Sequence, residues 1–575
     1  MQFKTTVASP SLAASHLFDV VVFAGGTADS LSPLCNNEPK PMLCICNRPM
    51  IWYCLYPWYA AGCRTFFVSV NEDYAALQSY LRREFSDVEF VFVLVPFTQN
   101  EAPSTTCDVV KAYLKHKESL LPNKLGHARD ALLLSCDTLL PGLDPEPFIR
   151  NFYCSVASVS VLLFRPLKCT RSSTVTEASS SGGAKTNKGH GAGFPVKPYA
   201  YRYTCTAYEE TDEDDNGAST TNLGEDGEAV GDTKGACSYR LHFMCPYEER
   251  QELRISMGFA GRRPNLTFSS DTMDAHAYLV RHWALNAIAE SAGKGMSVQR
   301  DSIPFLARSQ HSIVNENKMT FLRPDGKIKY NIPKHWLLES DSSVNFLNAS
   351  PGPVLPSEAD NLLVCCTIYE ERPEKCMRVY RVRTREDYIA VNQEILAAKC
   401  QLLEMNEVNG RNSMRISSFS SRSTRTSQQK ERLGQTQRVL RTSMERKSIN
   451  TAADSARLPF SAFALSGLVS NAAFTIHKTD TSRQINIIHS FLRTEPTCKA
   501  TIARSIVGNN VTLGPDVRIT NSIILDNAEI GAAAIISNSV IGSSAMVNSG
   551  VRVVSCTVGP QCLVESNETD RVIRA

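Results

Sequence analysis

Short apolar runs alternate with helix-length amphipathic segments through the first third of the chain. Asp19 to Ala24, Thr65 to Val70, Glu89 to Val95, Ala131 to Ser135 and Ser158 to Phe164 are bounded by turn residues or charge, the pattern of strands buried on both faces. Met50 to Ala61, Tyr74 to Phe85 and Thr105 to Glu118 have helical spacing, with Pro57 expected to kink or shorten the first. This alternation predicts an α/β domain with a mostly parallel, Rossmann-like sheet covered on both faces. From about Lys168 to Ala236 the pattern dissolves into Ser, Gly, Thr and acids, which reads as a disordered insertion. It resumes at Tyr239, with a helix expected from Asp274 to Glu290 and a further α/β stretch from Leu362 to about Leu403.

The last ninety or so residues carry a different period. Val507, Leu513, Ile519 and Leu525 are spaced by six, as are Ile541, Val547 and Val553, and Gly508, Gly514 and Gly542 directly follow members of these series. A hexapeptide repeat predicts a parallel β-helix, each coil adding one aliphatic per side to a continuous core. The two series differ in phase, so an irregular coil is expected near Asn527 to Ser537. The expected organisation is a tail over 1–17, an α/β domain over 18–404 interrupted at about 168–236, a linker over 405–458 and a β-helix over 483–575.

Charge adds two local features. The net charge of the 575 residues is only +3, which argues against direct nucleic-acid binding through global charge. Glu209 to Asp232 nevertheless holds ten acids and no Lys or Arg, and Arg411 to Lys447 holds ten bases and two acids. Both read as solvated segments, and deleting Glu209 to Asp232 is expected to spare folding. Ser417, Ser418, Ser443 and Ser448 of the basic linker are candidates for phosphorylation, with a plain solvated spacer as the simpler reading. Nineteen cysteines, odd in number, scattered and often inside apolar runs, suit a reducing cytosol. No run approaches the roughly 20 apolar residues of a membrane span, and no secretory signal opens the chain.

The candidate chemistry follows the first strand. Ala24-Gly-Gly-Thr-Ala-Asp-Ser-Leu-Ser-Pro-Leu34 precedes Glu38-Pro-Lys-Pro-Met42, and a glycine-rich loop with a lysine nearby suits phosphate binding. Adjacent glycines alone also serve ordinary strand-to-helix turns. Together the two segments resemble the signature of the nucleotide-sugar pyrophosphorylases, whose loop reads Ala-Gly-Gly-x-Gly-Thr-Arg-Leu-x-Pro-Leu. The resemblance makes Gly25, Gly26 and Lys40 a remnant nucleotide site, and puts Ala28, Asp29 and Ser30 where the family has Gly, Thr and its catalytic Arg. Such a cation is worth on the order of 10³ to 10⁵ in rate in other phosphoryl-transfer enzymes, and Ser30 cannot supply it. Asp137 and Asp274 stand where the family holds magnesium, although Asp274, before the expected helix, reads more readily as an N-cap. The implied status is a non-enzyme without resident cofactor, keeping at most a remnant magnesium or nucleotide site.

Further segments narrow the resemblance. Asn47-Arg-Pro-Met-Ile-Trp-Tyr53, Leu134-Ser-Cys-Asp137, Asp274-Ala-His-Ala-Tyr278, Ile303-Pro-Phe-Leu306 and Ser539-Val-Ile-Gly-Ser-Ser544 are similar to segments of the gamma-subunit family of eukaryotic translation initiation factor 2B. The likeness runs over about 18–165, 239–310, 375–400 and 485–575, and the β-helix it implies is left-handed. Epsilon subunits continue past the β-helix into a helical exchange domain, whereas this chain ends at Ala575. The resemblance implies a cytosolic, non-catalytic subunit of the guanine-nucleotide exchange factor for initiation factor 2. Its partners would be the epsilon subunit, then alpha, beta and delta subunits and initiation factor 2, with no nucleic acid or membrane. An active pyrophosphorylase, of the mannose-1-phosphate guanylyltransferase type, is the alternative. A hexapeptide acyltransferase is a third, disfavoured because no histidine follows His489 to act as base. Trp52, Tyr53, Trp58 and Tyr59 read as core residues first and interface candidates second.

Overall fold

Residue Phe18 opens a strand whose six side chains are all buried, five of them apolar and the sixth Asp19. The computed structural model describes residues 17–26, 28–71, 74–95, 105–120, 129–166, 199, 201, 203–210, 236–246, 265–291, 293, 295–310, 318–322, 329–333, 362–370, 378–398, 473–480, 485–493 and 496–574. They fall into two units, one drawn from Met1–Leu43, Pro49–Lys188 and Ala200–Asp387, the other from Cys44–Arg48, Gly189–Tyr199 and Tyr388–Ala575. The linker over 405–458 and its serines lie outside the described residues.

The first unit is built on nine strands: β1 (Phe18–Phe23), β2 (Thr65–Val70), β3 (Glu89–Leu94), β4 (Asp130–Ser135), β5 (Val159–Arg165), β6 (Thr204–Glu210), β7 (Ala236–Pro246), β8 (Thr267–Val280) and β9 (Val364–Glu370). They lie in the order β3-β2-β1-β4-β8-β5-β9-β7-β6. Strands β1 to β4 pair in parallel, as their apolar runs predict. Strand β8 enters antiparallel between β4 and β5, and β7 pairs antiparallel with β6 and β9, so the sheet is mixed beyond β4. On one face Val21, Phe23 and Leu133 pack with Cys107, Val110, Tyr113, Ala284 and Ile288. Those partners sit on the helices α3 (Thr106–Leu120) and α5 (His282–Ser291). Val20, Val22, Leu132 and Leu134, alternate residues of the same strands, are equally buried, as are Trp58 of α1 (Met50–Ala60) and Phe148 of α4 (Glu146–Cys154). The helix α1 runs through Pro57 without interruption, and Trp52, Tyr53 and Trp58 are core residues.

Two expectations fail in this unit. Asp274 does not start a helix: residues 267–280 are strand, and the helix begins at His282. The alternation is broken by a bulge between Asp274 and Tyr278, where His276 takes a positive φ of 53°. The supposed insertion also contains β6, whose Glu209 carboxylate meets the His242 ring at 3.2 Å. A deletion that spares the sheet therefore starts after Glu210, not at Glu209. The rest of the insertion, apart from Tyr199, Tyr201, Tyr203 and Ala236, is outside the described residues.

The second unit contains a left-handed parallel β-helix. Its sides stack in register: Ile506 on Ile523 on Val540, Leu513 on Ile530 on Val547, and Ile519 on Ile536 on Val553. Steps along the core are six residues from Val507 to Leu513, six to Ile519 and five to Ile524, giving a coil of 17. The expected irregular coil near 527–537 is absent, because one five-residue side in each coil of the middle of the stack causes the phase drift, while the first and last turns repeat at 15 residues. Ile524 rather than Leu525 is the core residue. Corners recur at the same interval, with positive φ at Asn510, Asn527 and Ser544 and again at Asn521, Asn538 and Ser555. At Gly514 a Cβ would lie 2.5 Å from the Ala532 nitrogen of the next coil, so only glycine fits.

A file of buried hydroxyls runs up one corner. Ser505, Ser522 and Ser539 each donate to the carbonyl two residues earlier and accept the backbone N–H of the next rung, the last being Cys556. The Cys44–Arg48 segment belongs to this unit through Asn47, which donates to the Val507 carbonyl at 2.9 Å, and the Cys46 N–H, which donates to Asn392 Oδ1 at 2.8 Å. Because Ser522→Ala leaves the buried Ser539 N–H without its acceptor, while the Thr520 carbonyl keeps the Asn538 N–H, it should destabilise the chain by about 1–3 kcal/mol. Urea denaturation followed by circular dichroism reads this out, and an unshifted midpoint would contradict the ladder's role.

Candidate functional site

The carboxyl ends of β1 and β4 lie side by side, joined by the Cys136 N–H donating to the Phe23 carbonyl at 3.2 Å. Gly25 and Gly26 leave β1 here and Asp137 leaves β4, the place where an open α/β sheet gathers its ligand groups. A Cβ at Gly25 would meet the end of the Asn71 side chain, Oδ1 at 2.8 Å, and push it aside, whereas nothing lies within 4 Å of a Cβ at Gly26. Asp29 and Ser30 are exposed in the single turn that follows. Lys40 reaches back from its own short turn, and its Nζ donates to Asp137 Oδ2 at 3.1 Å. The Ser135 hydroxyl donates to Asp137 Oδ1 at 2.5 Å.

A second cation arrives from much later in the chain. Tyr380–Arg381 pairs antiparallel with Thr138–Leu139, and the Val382 N–H donates to the Asp137 carbonyl at 2.9 Å. This places Arg381 NH2 3.5 Å from Asp137 Oδ1 and 2.9 Å from His276 Nδ1. Arg381 NH1 and Arg383 NH2 both donate to Gln299 Oε1, at 3.3 and 2.9 Å. Gln299 Nε2 in turn donates to Asp274 Oδ2 at 2.7 Å. Asp274 also accepts from the Tyr278 hydroxyl at 2.6 Å and, through Oδ1, from the His276 N–H at 2.8 Å. Its carboxylate thus closes the bulge in β8 instead of capping a helix. The run after Arg383 is set by Thr384 and Asp387: Asp387 Oδ2 accepts the N–H groups of Arg383 and Thr384, and Thr384 Oγ1 accepts that of Asp387. Such a reciprocal cap starts the helix over 385–398 and holds the arginine strand in place.

The charges decide what this arrangement can do. Burial alone would raise the Asp137 carboxyl, but Lys40, Arg381, His276 and Arg383 hold it well below the usual carboxylate range. Burial would lower Lys40, and Asp137 raises it above its ordinary value. Burial and the Arg381 charge push His276 well below its usual pKa. A guanidinium only donates, so Nδ1 is the acceptor and Nε2 carries the hydrogen. That Nε2 is buried and has no hydrogen-bond partner among the described residues. Three thiols nearby stay protonated, burial lifting Cys35 and Cys136 to about 12 and Cys54 well above the usual value. A divalent cation does not fit this donor set as it stands. Asp137 is matched by two cations, both Asp274 oxygens are taken by hydrogen bonds, and among the described residues no three His, Cys, Asp or Glu side chains converge on a possible metal position.

Residues 19–165 match the nucleotidyl transferase family and residues 484–569 match the GMPPB C-terminal domain family. The translation initiation factor eIF2B subunit gamma of Schizosaccharomyces pombe is 24% identical over 352 residues, 60% of this chain and 63% of that protein. The chain is similar to this gamma subunit. It spans less than two thirds of that relative's length. A UDP-glucose pyrophosphorylase complexed with UDP-glucose aligns at a TM-score of 0.33 and 12% identity, over 66% of this chain and 98% of that one.

Lys40, Asp137 and the glycine loop are thus brought to one end of the sheet, and Asp274 is joined to them indirectly, through Gln299, His276 and Arg381. Sequence reasoning missed Arg381, Arg383, Gln299 and His276. The signal for the arginines was their period-two spacing in Tyr380-Arg-Val-Arg383, next to the Thr384-Arg-Glu-Asp387 cap. Asp137→Asn should cost about 3–5 kcal/mol near neutral pH, because it leaves Lys40 and Arg381 buried without their anion. A depressed folded-state pKa gives stability that is present above about pH 4 and lost as pH falls through the folded value. The gap between wild type and variant should therefore shrink in acid, as urea midpoints at pH 7 and pH 3 would show.

Proposed function

We propose that this chain is a non-catalytic gamma-type subunit of the guanine-nucleotide exchange factor for translation initiation factor 2. In this reading it pairs with an epsilon-type subunit in the cytosol, within an assembly that also holds alpha, beta and delta subunits. Support for the assembly comes from the gamma-subunit likeness over 60% of the chain, beside the nucleotidyl transferase and GMPPB C-terminal domain segments. Support for the absence of turnover rests on one observation, the engagement of Asp137 by Lys40 and Arg381 at the place where pyrophosphorylases use a metal-binding acid. Ser30 adds to it: its exposed hydroxyl carries no charge for a phosphoryl group under attack. Scaffolding through the two folded units is the role that remains. Among the described residues no helix is long and apolar enough to cross a membrane.

Tagged chain purified from its own cells should bring down an epsilon-type subunit in a fixed ratio, and its absence would sink the assembly reading. The purified chain should release no pyrophosphate from GTP or other nucleoside triphosphates supplied with sugar phosphates and magnesium, and Ser30→Arg should not change that. Measurable turnover would instead favour the nucleotide-sugar pyrophosphorylase alternative.

A further inference from the structure

The buried carboxylate at the end of β4 already has its cation. We propose that the Arg381 guanidinium is the resident counter-charge of Asp137, standing where a nucleotidyl transferase would place a divalent metal, and that it closes this position to such ions. The inference concerns the same site as the proposed function. It is tested on this chain alone, so its failure would leave the assembly reading untouched.

The geometry fixes Arg381 from the backbone outward. Its strand is paired with the two residues that follow Asp137, and the Val382 N–H is bound to the Asp137 carbonyl. The side chain is 5% exposed and reaches Asp137, His276 and Gln299 together. The guanidinium is a planar fork that cannot lose its proton, which suits a permanent replacement for a metal charge. Lys40 takes the other carboxylate oxygen, and Arg383 shares Gln299. A divalent ion entering here would face three fixed cations and one carboxylate. Magnesium keeps near-octahedral oxygen ligands and gives up its waters reluctantly, so it would not displace a buried ion pair for a single carboxylate. The second acid does not help, because Asp274 is held by Tyr278, Gln299 and the His276 N–H.

Manganese(II) chloride is the probe, and the readout is paramagnetic loss of assigned leucine methyl signals in the full-length chain. Leu134 and Leu139 flank Asp137, and the exposed Leu563 of the β-helix reports non-specific broadening. In the wild type the Leu134 and Leu139 signals should survive millimolar Mn²⁺ as well as that of Leu563 does. Arg381→Met removes the charge while keeping an apolar stem, and its Leu134 and Leu139 signals should be lost selectively; Arg381→Lys should behave as wild type. Selective loss in the wild type would overturn the proposal, as would a folded Arg381→Met chain whose signals survive. Should Arg381→Met not fold, the wild-type titration alone decides.

Discussion

A carboxylate buried at the end of a sheet needs partners, and Asp137 finds one beside it and two at distant points of the chain. An unpaired charge in such a place costs several kcal/mol, so the fold must deliver Ser135 from the same strand end, Lys40 from the turn after the glycine loop, and Arg381 from beyond β9. Each delivery constrains the backbone. The Thr138–Leu139 and Tyr380–Arg381 pairing sets Arg381 next to its partner, and the Thr384 and Asp387 cap stops the strand from sliding. Arg381 then fixes the ring of His276, and Gln299 extends the network to Asp274 and Tyr278. The central ion pair thereby sets the shape of the bulge in β8 as well as the charge at the end of β4.

The same network explains which parts of the first unit could be read from residue order. Strands β1 to β5 are largely apolar runs, buried on both faces in β1, β2, β4 and β5 but half-exposed in β3 at the end of the sheet, against expectation, and their positions were legible to within a residue or so. Strand β8 was not, because its bulge at Asp274 to Tyr278 destroys the two-residue alternation and leaves spacing that imitates a helix. Strand β6, Thr-Cys-Thr-Ala-Tyr-Glu-Glu, is polar enough to look like insertion, and only its place between β7 and β8 makes it a strand. The site divides in the same way. Lys40 and Asp137 stand inside local motifs, whereas Arg381, Gln299 and His276 acquire their meaning only when strand pairing brings them together. Nothing local to Arg381 says that its partner is Asp137.

The β-helix depends on repetition rather than on one pair. Aliphatic side chains stack inward, left-handed corners recur at Asn510, Asn527 and Ser544, and the serine file carries a hydrogen bond from rung to rung. Its period was readable because each side contributes one large aliphatic. The short side was harder to see, since Leu525 stands at the six-residue spacing and Ile524, its neighbour, does the packing. One branched aliphatic beside another hides a one-residue step.

That step determines how such a coil can change in length. Each side of a coil is bound to the side one turn away, 17 residues along the chain through the middle of the stack and 15 at its first and last turns. A single added or lost residue would turn each later aliphatic outward and set the glycine at a corner against the wrong backbone. The domain therefore tolerates length change in whole turns, or in bulges thrown outward at a corner, and resists it everywhere else. Its length behaves as a count of turns, much as a ladder is lengthened by rungs and not by fractions of one.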